Sequence, residues 1–192
     1  MFKRESGLSL IELISTIVIL AIALTGITVV IQGGLSESAD TTLNVRTVAL
    51  AQAYLDEILG KRFDDNTRNS GIPPCRPSAP PPRRCTNEVS FGPDGGENRQ
   101  RYDDVDDYHG LDQGDGQVTP LQDAEGNTRS GYENFRVQVA VRYINVGVGD
   151  EEENLGIGDE LDEEFDAKLI TVTVTHRSLS QGVNFSAYKS NF

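Results

Sequence analysis

The stretch GLSLIELISTIVILAIALTG, residues 7–26, sets one carboxylate, Glu12, inside a run otherwise suited to lipid. From Leu8 to Ile31 it is the only formally charged side chain. A charge near the middle of a bilayer costs on the order of 3 kcal/mol by insertion scales, so such a residue is expected to have a partner. Further along, Cys75 and Cys85 flank RPSAPPPRR. Two acidic runs, YDDVDDYHGLDQGDG (102–116) and DEEENLGIGDELDEEFD (150–166), are dense in oxygen ligands. The chemistry on offer is thus a membrane-depth anion, a thiol pair and a supply of hard-cation ligands.

Two cysteines this close, in a loop beyond an apparent anchor, read as one disulfide in an oxidising compartment. Zinc is not expected, because His109 and His176 offer no spacing that would complete a tetrahedral site. The acidic runs recruit Ca2+ by composition only, with Asp103, Asp104, Asp106 and Asp107 as the candidate ligands. Neither run has EF-hand spacing, so the expectation is no cofactor, with calcium as the alternative. Enzymatic chemistry has little to stand on. There is no G-x-S-x-G, the two histidines lie in unrelated segments, and the carboxylates are expected in solvated runs that would not raise their pKa. The net charge is −13, and between Asp94 and Asp166 acidic residues outnumber arginines by 21 to five. That excludes a basic nucleic-acid footprint; it predicts a solvated acidic surface.

The segment holding Glu12 must be a helix. From Leu8 to Ile31 the apolar run exceeds a signal-peptide core, is followed by no A-x-A cleavage site and is interrupted by a charge. At 1.5 Å per residue it spans about 36 Å, enough for a ~30 Å hydrocarbon core with tilt. Lys3 and Arg4 precede it, so the positive-inside rule leaves the short N-terminus in the cytoplasm and the remainder outside.

KRESG followed by LSLIEL resembles the class III signal of type IV pilins and type II secretion pseudopilins. The resemblance implies a leader from Met1 to Gly7, cut between Gly7 and Leu8 by prepilin peptidase, with N-methylation of Leu8. It also places Glu12 at the fifth mature position, where its carboxylate pairs with the N-terminal amine of a neighbouring subunit. Leu8 departs from the usual Phe or Met, and Glu5 dilutes the basic leader. The implied partners are other pilin subunits, the inner-membrane assembly platform, the peptidase and the bilayer. The implied location is the inner membrane, single-pass, with a periplasmic head and access to a surface filament. RYDDVDDYHG, AQAYLDEILGKRF and AKLITVTVTH further resemble the minor pilin-like biogenesis proteins of mannose-sensitive haemagglutinin pili. Many major pilins close a C-terminal loop with their disulfide. Here the cysteines follow the first helix, so receptor-binding roles of that loop are not carried over.

The element pattern beyond the membrane run fits this class. TTLNVRTVALAQAYLDEILGKRF continues the helix, with Val48, Ala51, Leu55, Ile58 and Leu59 on the expected core face. Arg46, Leu50, Glu57 and Lys61 then lie opposite, and Leu50 is read as free to face another subunit. Gly60 is the expected terminator, with Lys61 and Arg62 at the negative end of the helix dipole. Gly26, Gly33 and Gly34 weaken the helix at the join between its halves. Six prolines between Pro73 and Pro82 mark a loop, which Arg76, Arg83 and Arg84 make basic.

Alternation predicts strands at 134–146, 167–176 and 182–192, and a short fourth at EVSFG (88–92). The expected fold is α+β: a long N-terminal helix, half transmembrane and half amphipathic, packed on a small antiparallel sheet. The expected divisions are leader 1–7, membrane helix 8–31, amphipathic half 32–62 and head 63–192, with the disulfide loop at 64–87 and the sheet mainly in 134–192. Three functions compete within that fold: a minor pilus subunit that primes or caps a filament, a type II secretion pseudopilin, and a tip adhesin.

Overall fold

The computed structural model describes residues 9–67, 74–76, 79–144, 167–178 and 181–191. Gly7, Leu8, the acidic run 150–166 and part of the proline-rich loop lie outside them. The chain divides into two compact units, 1–46 and 47–192. One helix, α1 (Leu10–Leu59), supplies residues to both. In the first unit Leu10–Gln32 is 23 residues long with a mean hydropathy of 2.6 and none of it is buried, the length and composition of a membrane span.

The second unit is the head. Its four-stranded antiparallel sheet has the order β1 (Asp112–Gly114), β2 (Phe135–Ile144), β3 (Ala167–His176), β4 (Val183–Ser190). β2 and β3 pair along their whole lengths, from Phe135 opposite His176 to Ile144 opposite Ala167. Alternation sorts their side chains as the period of two requires. Phe135, Val137, Val139, Val141 and Tyr143 are buried from β2, and Lys168, Ile170, Val172, Val174 and His176 from β3. The fold is the α+β arrangement expected, a long helix on a small sheet.

The face of α1 that packs differs from the expected one. Thr47, Leu50, Ala51, Tyr54 and Ile58 are buried, whereas Val48 is 40% exposed. Leu50 is therefore a core residue and not a partner-facing one. Glu57 also turns inward, receiving the Tyr108 hydroxyl at 2.8 Å and the guanidinium of buried Arg99. The helix end is capped from a distance: Lys189 of β4 donates to the Leu59 carbonyl at 2.8 Å, the role expected of Lys61 and Arg62. Lys61 instead reaches the Tyr102 carbonyl, and Arg62 turns to Asp65 and Asp103.

EVSFG is not a strand. Glu88–Ser90 is one 3-10 turn, started by Asn87, whose side-chain oxygen accepts from the Val89 amide at 3.1 Å. The fourth strand is Asp112–Gly114, which covers only the first part of β2. Beyond it the edge is closed piecemeal. Leu111 and Gly110 bond the Val139 backbone, His109 Nδ1 lies against the N and O of Val141, and the Glu88 carboxylate accepts the Tyr143 amide. These contacts leave little of that edge open to another strand. Gly114 allows the close approach at its beginning. Its φ is +104°, and a Cβ there would sit 2.1 Å from the Phe135 carbonyl oxygen.

Candidate functional site

Glu12 stands in the first turn of α1, exposed, on a helix whose neighbouring side chains are almost all apolar. The hydroxyls of this run are satisfied locally. Ser15 and Thr16 donate to carbonyls three residues back, and Thr25 and Thr28 to carbonyls four back, at 2.8–2.9 Å. In hydrocarbon these groups need nothing further. Among the described residues Glu12 has no ion pair, which leaves it the one ionisable side chain in the run. Gly7 and Leu8, the cleavage and methylation positions, lie outside the described residues.

The head contains a charged centre that composition alone did not suggest. Lys168, in phase with Ile170, Val172 and Val174, is fully buried. Its Nζ lies 2.5 Å from Asp106 Oδ1, 2.5 Å from the Phe63 carbonyl oxygen and 3.6 Å from Asp64 Oδ2. The signal for it was present: a lysine at an inward position of an alternating strand must meet an anion or cost several kcal/mol. The disulfide Cys75–Cys85 lies in the same cluster with Phe63 and Tyr143.

The candidate calcium residues separate by environment. Asp104, Asp106 and Asp107 are buried, and Asp103 is exposed. Asp107 Oδ2 accepts from the amides of Asp103 and Asp104 at 2.9 and 3.2 Å, while Asp104 Oδ1 accepts from the Asp107 amide. Asp106 is taken by Lys168. The carboxylates are thus not all solvated, and their pKa values move as burial dictates. Asp104 is pushed up to about 9, by desolvation first and then by Asp106, with Lys168 opposing. Asp65 rises to about 7 through desolvation and hydrogen bonds with Asp94 and Asp103. Asp65, Asp103 and Asp104 bring ligand oxygens within 4.8 Å of one another. The Arg62 guanidinium bonds two of them, at 2.8 Å to Asp65 and 2.5 Å to Asp103. Part of the charge of this cluster is thus already met by a protein cation. Asp64, near both cysteine sulfurs, gains no thiolate co-ligands because both sulfurs are in the disulfide.

Residues 2–28 match the family model described as the prokaryotic N-terminal methylation motif. No curated protein and no solved structure matches the chain. The motif supports a type IV pilin-like or pseudopilin reading; proteins of that structural class are processed by prepilin peptidase and associate with other pilin subunits. With the one membrane-length apolar helix among the described residues, it fits a membrane-anchored single-pass protein.

Proposed function

We propose that the chain is a minor type IV pilin-like subunit of the mannose-sensitive haemagglutinin kind, most like the D protein of that pilus's biogenesis set. It inserts in the inner membrane with its head in the periplasm, is cut between Gly7 and Leu8 and methylated at Leu8, and joins other subunits to prime or cap a filament. The observation that carries this is the methylation motif over residues 2–28, whose apolar run holds one carboxylate, Glu12. Cleavage creates an α-amine one helical turn before Glu12. In a helical array each Glu12 meets the amine of the adjacent subunit, and the two charges neutralise each other only in the right register. The costly charge thereby checks assembly. The loop-rich acidic head, together with the RYDDVDDYHG segment, supports the minor rather than the tightly tiled major role.

The same motif serves type II secretion pseudopilins, so that reading stands beside the first. Recovery of the chain in sheared pili or in the secretion pseudopilus separates the two. The test of the shared reading is intact mass and N-terminal peptide analysis of protein purified from its own membranes. A chain beginning at methylated Leu8 is expected. A chain retaining residues 1–7, in cells with a working leader peptidase, would leave an ordinary anchored protein and remove the assembly role.

A further inference from the structure

Lys168 Nζ has two close polar neighbours, the Phe63 carbonyl oxygen and Asp106 Oδ1, each at 2.5 Å. Asp64, at 3.6 Å, is beyond hydrogen-bond reach. Its carboxylate already accepts the amides of Asn66 and Thr86, at 2.9 and 2.7 Å, and the Tyr143 hydroxyl at 3.3 Å. The rest of the pocket is ring surface: Phe63, Phe91 and Tyr143 lie 4.6, 4.9 and 5.3 Å from Nζ. An ammonium has three protons to donate. Among the described residues only two acceptors stand within bonding distance. We propose that this pair is a self-modification site, at which the Lys168 amine and the Asp106 carboxyl condense to an intramolecular amide joining β3 to the turn at 104–108.

The balance closes without a co-reactant. An ammonium–carboxylate pair carries the same atoms and protons as an amine beside a carboxylic acid, so passage of one proton across the 2.5 Å contact from Nζ to Asp106 gives the two reacting forms. The Nζ lone pair attacks Asp106 Cγ and the C–N bond forms. The carboxyl C–O bond then breaks, and its oxygen leaves as water with one proton from the acid and one from nitrogen. The Asp104 carboxyl, hydrogen-bonded to Asp106, is placed to relay that second proton. Fixing the reactants in contact supplies the orientation that a condensation in solution lacks, and the rings keep bulk water from the pair. The product fits the pocket as well as the reactants do. A secondary amide keeps one N–H, and the Phe63 carbonyl remains to accept it.

The test is the mass of the full chain, extracted in detergent from its host, reduced, alkylated and digested with trypsin. An amide makes the intact chain lighter by one water. It also stops trypsin cutting after Lys168, because the enzyme needs a free ammonium there. The expected product is one species joining residues 102–129 to 143–177. Recovery of the unlinked peptide 143–168, with an intact mass showing no loss of water, would overturn the proposal and leave a buried ion pair. Asp106→Ala must abolish the loss; a loss that persists in it would place the missing water elsewhere and equally overturn the assignment. Should that variant fail to accumulate, the wild-type peptide map decides alone.

Discussion

Aspartates a few residues apart in YDDVDDYHG have different fates, and the fate sets the chemistry. Asp103 remains at the surface with Arg62, Asp106 is bound to Lys168, and Asp104 is buried with its pKa pushed up to about 9. The sign of the consequence follows from proton counting. Above about pH 4 an unfolded aspartate has lost its proton, while folded Asp104 keeps it until about 9. The folded state then binds more protons than the unfolded one, so stability falls as pH rises through that window. Asp65, raised to about 7, adds in the same direction over the lower part of it. The melting midpoint of the chain is therefore expected to be higher at pH 5 than at pH 8. Asp104→Asn, which imitates the protonated carboxyl, should raise the pH 8 midpoint by roughly 2–4 °C, equivalent to about 1 kcal/mol for a chain of this size. It should also flatten the pH slope. A slope unchanged in Asp104→Asn would mean that another group carries the proton.

At the level of elements, the strands were the easiest part to read from sequence and the helix face the hardest, for a physical reason. β2 and β3 each have one buried face, so their apolar residues alternate and the period identifies them. α1 carries apolar residues on several sides, and Ala51 with Ile58 fits either of two neighbouring stripes. The choice falls to Leu50 and Tyr54, which the sequence does not favour over Val48 and Leu55. Leu50→Ala should accordingly cost about 2–5 kcal/mol by denaturant unfolding, as core truncations do, whereas Val48→Ala should stay within about 0.5 kcal/mol. Equal losses would return the packing face to the other stripe. The fourth strand was illegible because Asp112–Gly114 is three residues long and has no period, while EVSFG has strand-like composition that the Asn87 cap overrides. At Gly114 both the +104° φ and the Phe135 carbonyl oppose a side chain. Gly114→Ala should cost at least about 2 kcal/mol, and a wild-type midpoint would show that β1 can move off β2. The buried centre was half legible. Lys168 stands in the inward phase of its strand, but composition does not say which members of an acidic run turn toward it.

At the level of the whole molecule, a chain with net charge −13 places 30 acidic residues, and only Glu12 among them lies in the apolar run. The head can hold its charges in water or pair them with arginines and Lys168. Glu12 has neither recourse in hydrocarbon, and the proposed assembly would neutralise it with the amine of a newly made terminus, its own or a neighbour's. That reasoning separates two outcomes for Glu12→Ala. Removing the carboxylate does not oppose insertion, since Glu12 is the third residue of the 23-residue apolar stretch and not at its centre, and it leaves the residues on either side of the cut intact. Membrane level and leader removal should therefore be unchanged. If the carboxylate is an assembly contact, the amine of the neighbour is left unpaired at membrane depth, and incorporation into sheared filaments should fall tenfold or more, a factor that corresponds to about 1.4 kcal/mol of lost coupling. If Glu12 is merely tolerated, the variant should enter filaments at least as well as the native chain, since it carries less desolvation cost. The two cases predict opposite changes in the filament fraction at equal membrane abundance, so one quantitative blot of both fractions distinguishes them.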